Sequence, residues 1–241
     1  VTIDELQRAW HAVQAGQFRS HSSRPGSAQV ETGAAAAAAR WAPGERVLPV
    51  LGCHPQAGAS TLAVAIATAA APARVLECAS ASATGLAMAA TAELGSSPGG
   101  WRLGRRGHVE LARAGEILDA PSKVPLPEPP VGQIGLSVLD VAWEIGQVMA
   151  TPTWVRETVT EAPHVIASTT ATIPGFRRLG IALDVLAPAD PVVAVLGVPL
   201  RRWPRHLQRS VGPKATQARD FGRLHVIPVD RSLAERGLTG E

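Results

Sequence analysis

The chain has 241 residues, 46% of them hydrophobic, enough to bury a substantial core as one large domain or as one domain with extensions. Its 23 basic and 20 acidic residues leave a mild formal charge of +3, and its two cysteines, Cys53 and Cys78, build no disulfide framework. No apolar run approaches the roughly 18 residues of a membrane span, and the first residues are polar and charged rather than a leader, so a soluble, cytoplasmic protein is expected.

In chain order, residues 2–17 read as an amphipathic helix. Thr2 and Glu5 form a capping box, and Leu6, Trp10 and Val13 share one face, with Ile3 and Ala9 adjoining. That stripe either packs back on the protein or docks in a partner's groove, and docking is the favoured expectation because residues 19–45 read as a flexible linker. They contain RSHSSRPGS, an alanine run and WAPGER, with no sheet-like alternation.

From Arg46 the pattern turns α/β. Strands are expected at Val47–Leu51, Arg74–Cys78, Ile134–Asp140, His164–Ser168, Pro191–Leu196 and Leu224–Pro228. Helices are expected over about 60–70, Thr84–Leu94, about 151–161, Pro174–Leu186, Arg201–Arg219 and from Ser232. Trp101–Ala114 reads as a hairpin or edge excursion, and Pro121–Pro130 as a surface loop. Strands alternating with helices predict a doubly wound, mainly parallel α/β sheet covered on both faces. Ligands of such sheets sit at the carboxyl ends of the strands.

The stretch VLPVLGCHPQAGASTLAVAIATAAA (47–71) has the layout of a phosphate-binding loop: a strand ending in Gly52, a loop, then Gly58-Ala59-Ser60-Thr61 opening a helix. Backbone N–H groups and the positive helix end face an anion in such a loop. The full signature requires lysine before the Ser/Thr, and Ala59 stands there. Asp140, closing the run Leu136-Ser137-Val138-Leu139, supplies the acid that holds Mg²⁺ beside the loop hydroxyl of Ser60.

On these residues the chain from 47 to 238 resembles the ParA/MinD-type ATPases, the deviant Walker-A branch of P-loop proteins. The family loop reads K-G-G-x-G-K-[ST]-[ST]; His54-Pro55-Gln56-Ala57-Gly58-Ala59-Ser60-Thr61 aligns with it. VLECASASATGL (75–86) is similar to the family's VLVDADP-type segment, and IPVDRSLAERG (227–237) to its late loop near the nucleotide base. The A-G-A-S-T-L-A form is particularly like the CpaE/TadZ-like subgroup, associated with pilus assembly and septum or pole positioning in bacteria. The resemblance implies Gly52, Gly58, Ala59, Ser60, Thr61, Pro228 and Asp230 as nucleotide-binding positions, and Ser60 and Asp140 as metal-binding ones. It implies ATP with Mg²⁺ as ligands, and a homodimer whose state nucleotide sets.

The departures are as informative. His54 and Ala59 replace both family lysines, Pro55 and Gln56 the paired glycines, and Cys78 and Ser80 the two acids of the D-x-D segment; Gly197 stands where an adenine-recognising Asn is frequent. Proline brings no N–H to the phosphate nest. Loss of the lysine and the catalytic acid predicts slow or absent turnover, and a loop that binds no nucleotide at all is the competing expectation. Lys123 and Lys214 are the only lysines left to substitute from elsewhere.

Arg201, Arg202, Arg205, Arg209, Lys214, Arg219 and Arg223 crowd one segment with Trp203 among them. This is either a solvated helix face or a patch for salt-dependent, sequence-independent DNA binding, which Arg102, Arg105 and Arg106 would extend if adjacent. Two functions are therefore carried forward: a degenerate ParA/MinD-like positioning, partition or assembly factor, and a non-catalytic pseudo-ATPase module binding DNA or a protein partner. Zinc spacing is lacking around Cys53, His54 and Cys78, and Gly58–Leu62 is no hydrolase elbow.

Overall fold

A computed structural model of the chain describes residues 40–239; the helix expected over 2–17 and most of the linker lie outside them. Strands β1 (Arg46–Gly52), β2 (Ala73–Glu77), β3 (Ala92–Ser96), β4 (Trp101–Arg106), β5 (Val109–Ala114), β6 (Leu136–Asp140), β7 (Ile166–Thr170), β8 (Val192–Leu196) and β9 (Leu224–Ile227) form one sheet. Helices α1 (Ala59–Ala69), α2 (Ile145–Ala150), α3 (Trp154–Glu161), α4 (Ile173–Val185), α5 (Arg205–Ser210), α6 (Pro213–Asp220) and α7 (Arg231–Arg236) connect or follow them.

The strand order is β3-β4-β5-β2-β6-β1-β7-β8-β9. All pairs from β5 through β9 are parallel, and β4 and β3 add an antiparallel edge. The expected architecture, a mainly parallel α/β sheet with helices on both faces, is the one observed. After β6 the chain crosses to the other side of β1, so the strand order reverses there, and that is where ligand crevices form in open α/β sheets.

The central strands are apolar on both faces because both are covered. Val50, Val75, Leu111 and Val138 pack with Ala63, Val64 and Ala67 of α1. Their neighbours Leu51, Leu76, Ala112 and Leu139 belong to a second core with Trp154, Val155, Phe176 and Leu179 of α3 and α4. The period of two along each strand divides one apolar run between two layers.

Two expectations change and one helix is added. No helix covers Thr84–Leu94: a 3₁₀ turn at Ala87–Ala89 and strand β3 occupy that span. Glu77, at the end of β2, accepts hydrogen bonds from the Gly85 N–H (2.7 Å), the Leu86 N–H (3.2 Å) and the Thr84 hydroxyl. These fix the backbone in a non-helical path, and Ala92–Ser96 then pairs with β4. Arg201–Arg219 is a 3₁₀ turn followed by α5 and α6, because Pro204 and Pro213 remove N–H donors and restrict the residue before them. Helix α2, which no apolar period announces, starts on Glu144, whose side chain accepts from Gln147 N–H at 2.8 Å.

Residues 40–45, at the end of the segment read as a linker, pack on the sheet. The Trp41 ring meets Trp154 edge-on with centroids 5.4 Å apart. The Glu45 carboxylate accepts from Arg74 at 2.7 Å, and Arg74 also donates to Ser137 Oγ and the Glu128 carbonyl, each at 2.7 Å.

Candidate functional site

Val50 of β1 pairs with Asp140 of β6, and Asp140 in turn with Glu77 of β2. Register partners in a parallel sheet project on the same face, here the face that α1 covers. Two carboxyl groups therefore lie behind the first turn of α1, where Ser60 stands. Glu77 is saturated by the three donors that order Thr84–Leu86. Asp140 is fully buried, and neither carboxylate oxygen has a hydrogen-bond partner.

That isolation moves its acidity. Burial raises the Asp140 pKa from the ordinary 3.8 to about 7, with the Ser60 hydroxyl opposing and the Glu77 charge adding to the rise. Ser60 is thus near enough to be felt electrostatically, although it makes no hydrogen bond of acceptable geometry. Burial likewise raises Glu77 against its three donors. Cys78, beside both, is held well above the ordinary thiol range by burial and then by the Asp140 and Glu77 charges. It is a protonated, inert side chain.

The loop between β1 and α1 is fixed at both ends. Cys53 N–H donates to the Ser168 carbonyl at 2.8 Å. The His54 Nδ1 lies 2.7 Å from the Pro55 carbonyl, which can only accept, so this nitrogen carries the proton; Nε2 then accepts from the Thr170 hydroxyl at 3.2 Å. His54 thus ties the loop to β7. Gln56 and Gly58 have φ of 63° and 78°, and Ala142, just past β6, 54°. Left-handed backbone at Gln56 and Ala142 is a strain held by the surroundings, a frequent property of functional loops.

Helix α1 has no side-chain N-cap, and no acceptor among the described residues meets the N–H groups of Ala59, Ser60 and Thr61. These bare amides, Gly52, Gly58 and Asp140 line one cavity of about 490 Å³. Of the positions implied by sequence, Gly52, Gly58, Ala59, Ser60, Thr61 and Asp140 are therefore brought together. Pro228 and Asp230 are not among its lining residues: the Asp230 carboxylate accepts from Ser232 and Leu233 N–H and caps α7. A larger cavity of about 600 Å³ lies at the opposite ends of the strands, between Trp41, Leu136, Trp154 and His164, and reaches no loop residue.

Sequence reading missed three groups here. Glu77 was detectable as an acid inside an otherwise apolar strand. Trp143 lines the cavity and donates its indole N–H to the Cys78 carbonyl at 2.7 Å. Arg178 on α4 also lines it, and no sequence signal marks it among the surface arginines.

Arg201, Arg202, Arg205 and Arg209 are exposed and make no ion pair among the described residues, whereas Lys214 pairs with Asp184. Arg102, Arg105 and Arg106 are on β4, next to one edge strand, while the basic segment lies between β8 and the other edge strand, β9. They do not extend that surface. Trp203 is 5% exposed and packs edge-on against Phe176, so it is core rather than a stacking platform.

No protein-family model and no curated protein matches the chain. Among solved structures it is similar to a nucleotide-binding protein from Archaeoglobus fulgidus in complex with ADP (12% identity, 81% of this chain and 86% of that one, TM-score 0.49). It is also similar to a putative plasmid partition protein from Borrelia burgdorferi bound to AMPPNP (8%, 78% and 89%, TM-score 0.46). The MinD cell division protein of Aquifex aeolicus is a third (13%, 81% and 87%, TM-score 0.43). With identities this low and TM-scores below 0.5, these are likenesses and carry nothing about function.

Proposed function

We propose that the chain is a degenerate ParA/MinD-like P-loop protein, a positioning, partition or assembly factor that binds a nucleotide with Mg²⁺ weakly and turns it over slowly or not at all. The observation that carries this is Asp140: a fully buried carboxyl group with both oxygens unpartnered, opening on a cavity beside Ser60 and an uncapped helix. Burying such a group without partners is costly. A divalent cation fits it, since hard cations take carboxylate and hydroxyl oxygens. The amides of Ala59, Ser60 and Thr61 and the α1 dipole fit the phosphates. Bound there, the cation would supply neutralisation of phosphate charge.

Turnover is a different matter. Ala59 brings no cation to the transferring group, and Cys78 is buried where a family acid would stand. Each such group contributes factors of about 10²–10³ in rate, so the same site that binds is a poor catalyst. In this reading the ligand sets the state of a homodimer in the cytoplasm, and residues 2–17 recruit the protein partner. Deleting residues 1–18 should abolish recruitment without altering nucleotide binding.

Calorimetric titration of ATP with Mg²⁺ into the wild type and an Asp140→Ala, Ser60→Ala double variant tests the site. Micromolar binding that disappears in the variant is expected. Absence of binding to the wild type would overturn the reading.

A second reading is kept because four arginines, Arg201, Arg202, Arg205 and Arg209, stand exposed without acidic partners among the described residues. A module that binds DNA through them would need no nucleotide.

A further inference from the structure

The loop lacks its lysine, yet the cavity does not lack a cation. Apart from His54, whose ring is tied to Pro55 and Thr170, Arg178 is the one basic residue among the described residues on the wall formed by Gly58, Ser60 and Asp140. It makes no ion pair and no hydrogen bond among the described residues. Arg178 is exposed, and the Glu144 carboxylate on that wall is engaged as the N-cap of α2.

The helix that carries Arg178 is a rigid mount. Helix α4 is capped by Thr172, whose side chain accepts from Gly175 N–H at 3.0 Å. It buries Phe176, Leu179, Ala182 and Leu183, and Phe176 rests edge-on against Trp203 at 5.1 Å. Arg178, Ile181, Ala182 and Val185 form the stripe at helical spacing that faces Cys53 and Ile145 across a side cavity of about 140 Å³ continuous with the loop. Burial of Leu179 and Ala182 fixes the rotation of the helix from which Arg178 lines the cavity, and a site mounted on a helix is held more closely than one on a loop.

We propose that Arg178 replaces the missing loop lysine as the residue that binds the phosphate groups of the ligand. This rests on the nucleotide reading of the cavity and adds to it the source of the charge. Two independent features point to a ligand between the partners: the unpartnered, fully buried Asp140 and the bare amides of α1. The negative charge of a phosphate would come to lie beside two buried carboxyl groups, Asp140 and Glu77, so a cation in front of the loop favours its binding. Guanidinium presents two parallel N–H donors to a phosphate, whereas lysine acts as a point charge. Arg178 is carried by α4 and the amides by α1, so the two come to the cavity they both line from different elements. This arrangement binds phosphate without the in-loop cation that stabilises transfer, which accords with binding in the absence of fast turnover.

The test titrates ATP with Mg²⁺, and separately inorganic pyrophosphate, into the full chain and three variants. Arg178→Ala should weaken both ligands tenfold or more, and Arg178→Lys should recover part of the loss. Arg177→Ala, its exposed neighbour that does not line the cavity, should match the wild type. Unaltered thermal unfolding of the Arg178 variants excludes a folding defect. If Arg178→Ala binds like the wild type while the Asp140→Ala, Ser60→Ala variant does not, the nucleotide site stands and this role for Arg178 falls. If the wild type binds neither ligand, both fall together.

Discussion

Asp140 sits at 0% exposure with no donor to either oxygen, so ionising it inside the fold works against stability. Its pKa is about 7 in the folded protein against 3.8 ordinarily. Between those values the folded state keeps a proton that the unfolded state has released, so stability falls as pH rises through that window and levels off above it. In chelator-treated protein, Asp140→Asn should remove this slope. The wild type should lose on the order of 2 kcal/mol relative to the variant between pH 5 and pH 7, at about 1.4 kcal/mol per unit. Urea unfolding at the two pH values measures it, and a pH-independent difference would refute the shift. Added Mg²⁺ at pH 7 should restore stability to the wild type alone, because a cation that binds only the native state stabilises it. Gly58 is constrained differently: at φ 78° a Cβ would lie 2.2 Å from Leu196 Cδ2. Gly58→Ala should cost about 1–2 kcal/mol in denaturant unfolding, part from the left-handed backbone and part from displacing Leu196. At this scale the sequence showed Gly58, Ser60 and Asp140, since a loop motif is local. It marked Glu77 only as an acid in an apolar strand and hid Arg178, because both roles arise only when β2 and α4 are brought beside the loop.

The elements were legible wherever the hydrophobic pattern alone decides them, and misread where one buried polar group overrides it. The apolar runs around Val50, Val75, Val138 and Val193 are strands because covering both faces of a parallel sheet requires such runs. Residues 84–94, rich in Ala and Leu, read as a helix, but Glu77 captures the Gly85 and Leu86 amides first. A second buried group does similar service at the other end of the strands. Arg74 and Glu45 are 3% and 7% exposed in their side chains and paired at 2.7 Å, with Ser137 between them and the Trp41 ring 5.8 Å from the guanidinium. This pair fastens residues 40–45 to β2 and β6. Removing one partner strands the other charge, so Arg74→Met should destabilise by about 3–5 kcal/mol. Adding Glu45→Gln should recover much of that loss, giving a coupling of 1 kcal/mol or more in a double-mutant cycle. Additive losses would show that the pair contributes little beyond its separate packing.

At the scale of the whole molecule, the strand order decides which charges can act together. The β4 arginines and the segment from Arg201 to Arg209 stand near opposite edges of the sheet, on the order of 30 Å apart for strands spaced ~4.8 Å. The sequence could count these arginines but not separate them, because position across a sheet follows from crossover topology. A DNA-binding surface, if the second reading is right, is therefore confined to the β8–β9 side. Four phosphate contacts there predict a slope of about −3.6 in log affinity against log salt, a loss of roughly 150-fold between 50 and 200 mM. Replacing Arg201, Arg202, Arg205 and Arg209 by alanine should abolish that dependence, and Arg102→Ala with Arg105→Ala should leave it intact. The same titration separates the two functions, because Leu196 at the end of β8 abuts Gly58 and the basic segment begins just after it. A ligand that reorders the loop would press on Leu196 and reach those arginines. Gel-shift affinity that changes with ATP and Mg²⁺ would make DNA an output of the nucleotide site. Affinity that is steep in salt but indifferent to ATP would make the basic face a module of its own.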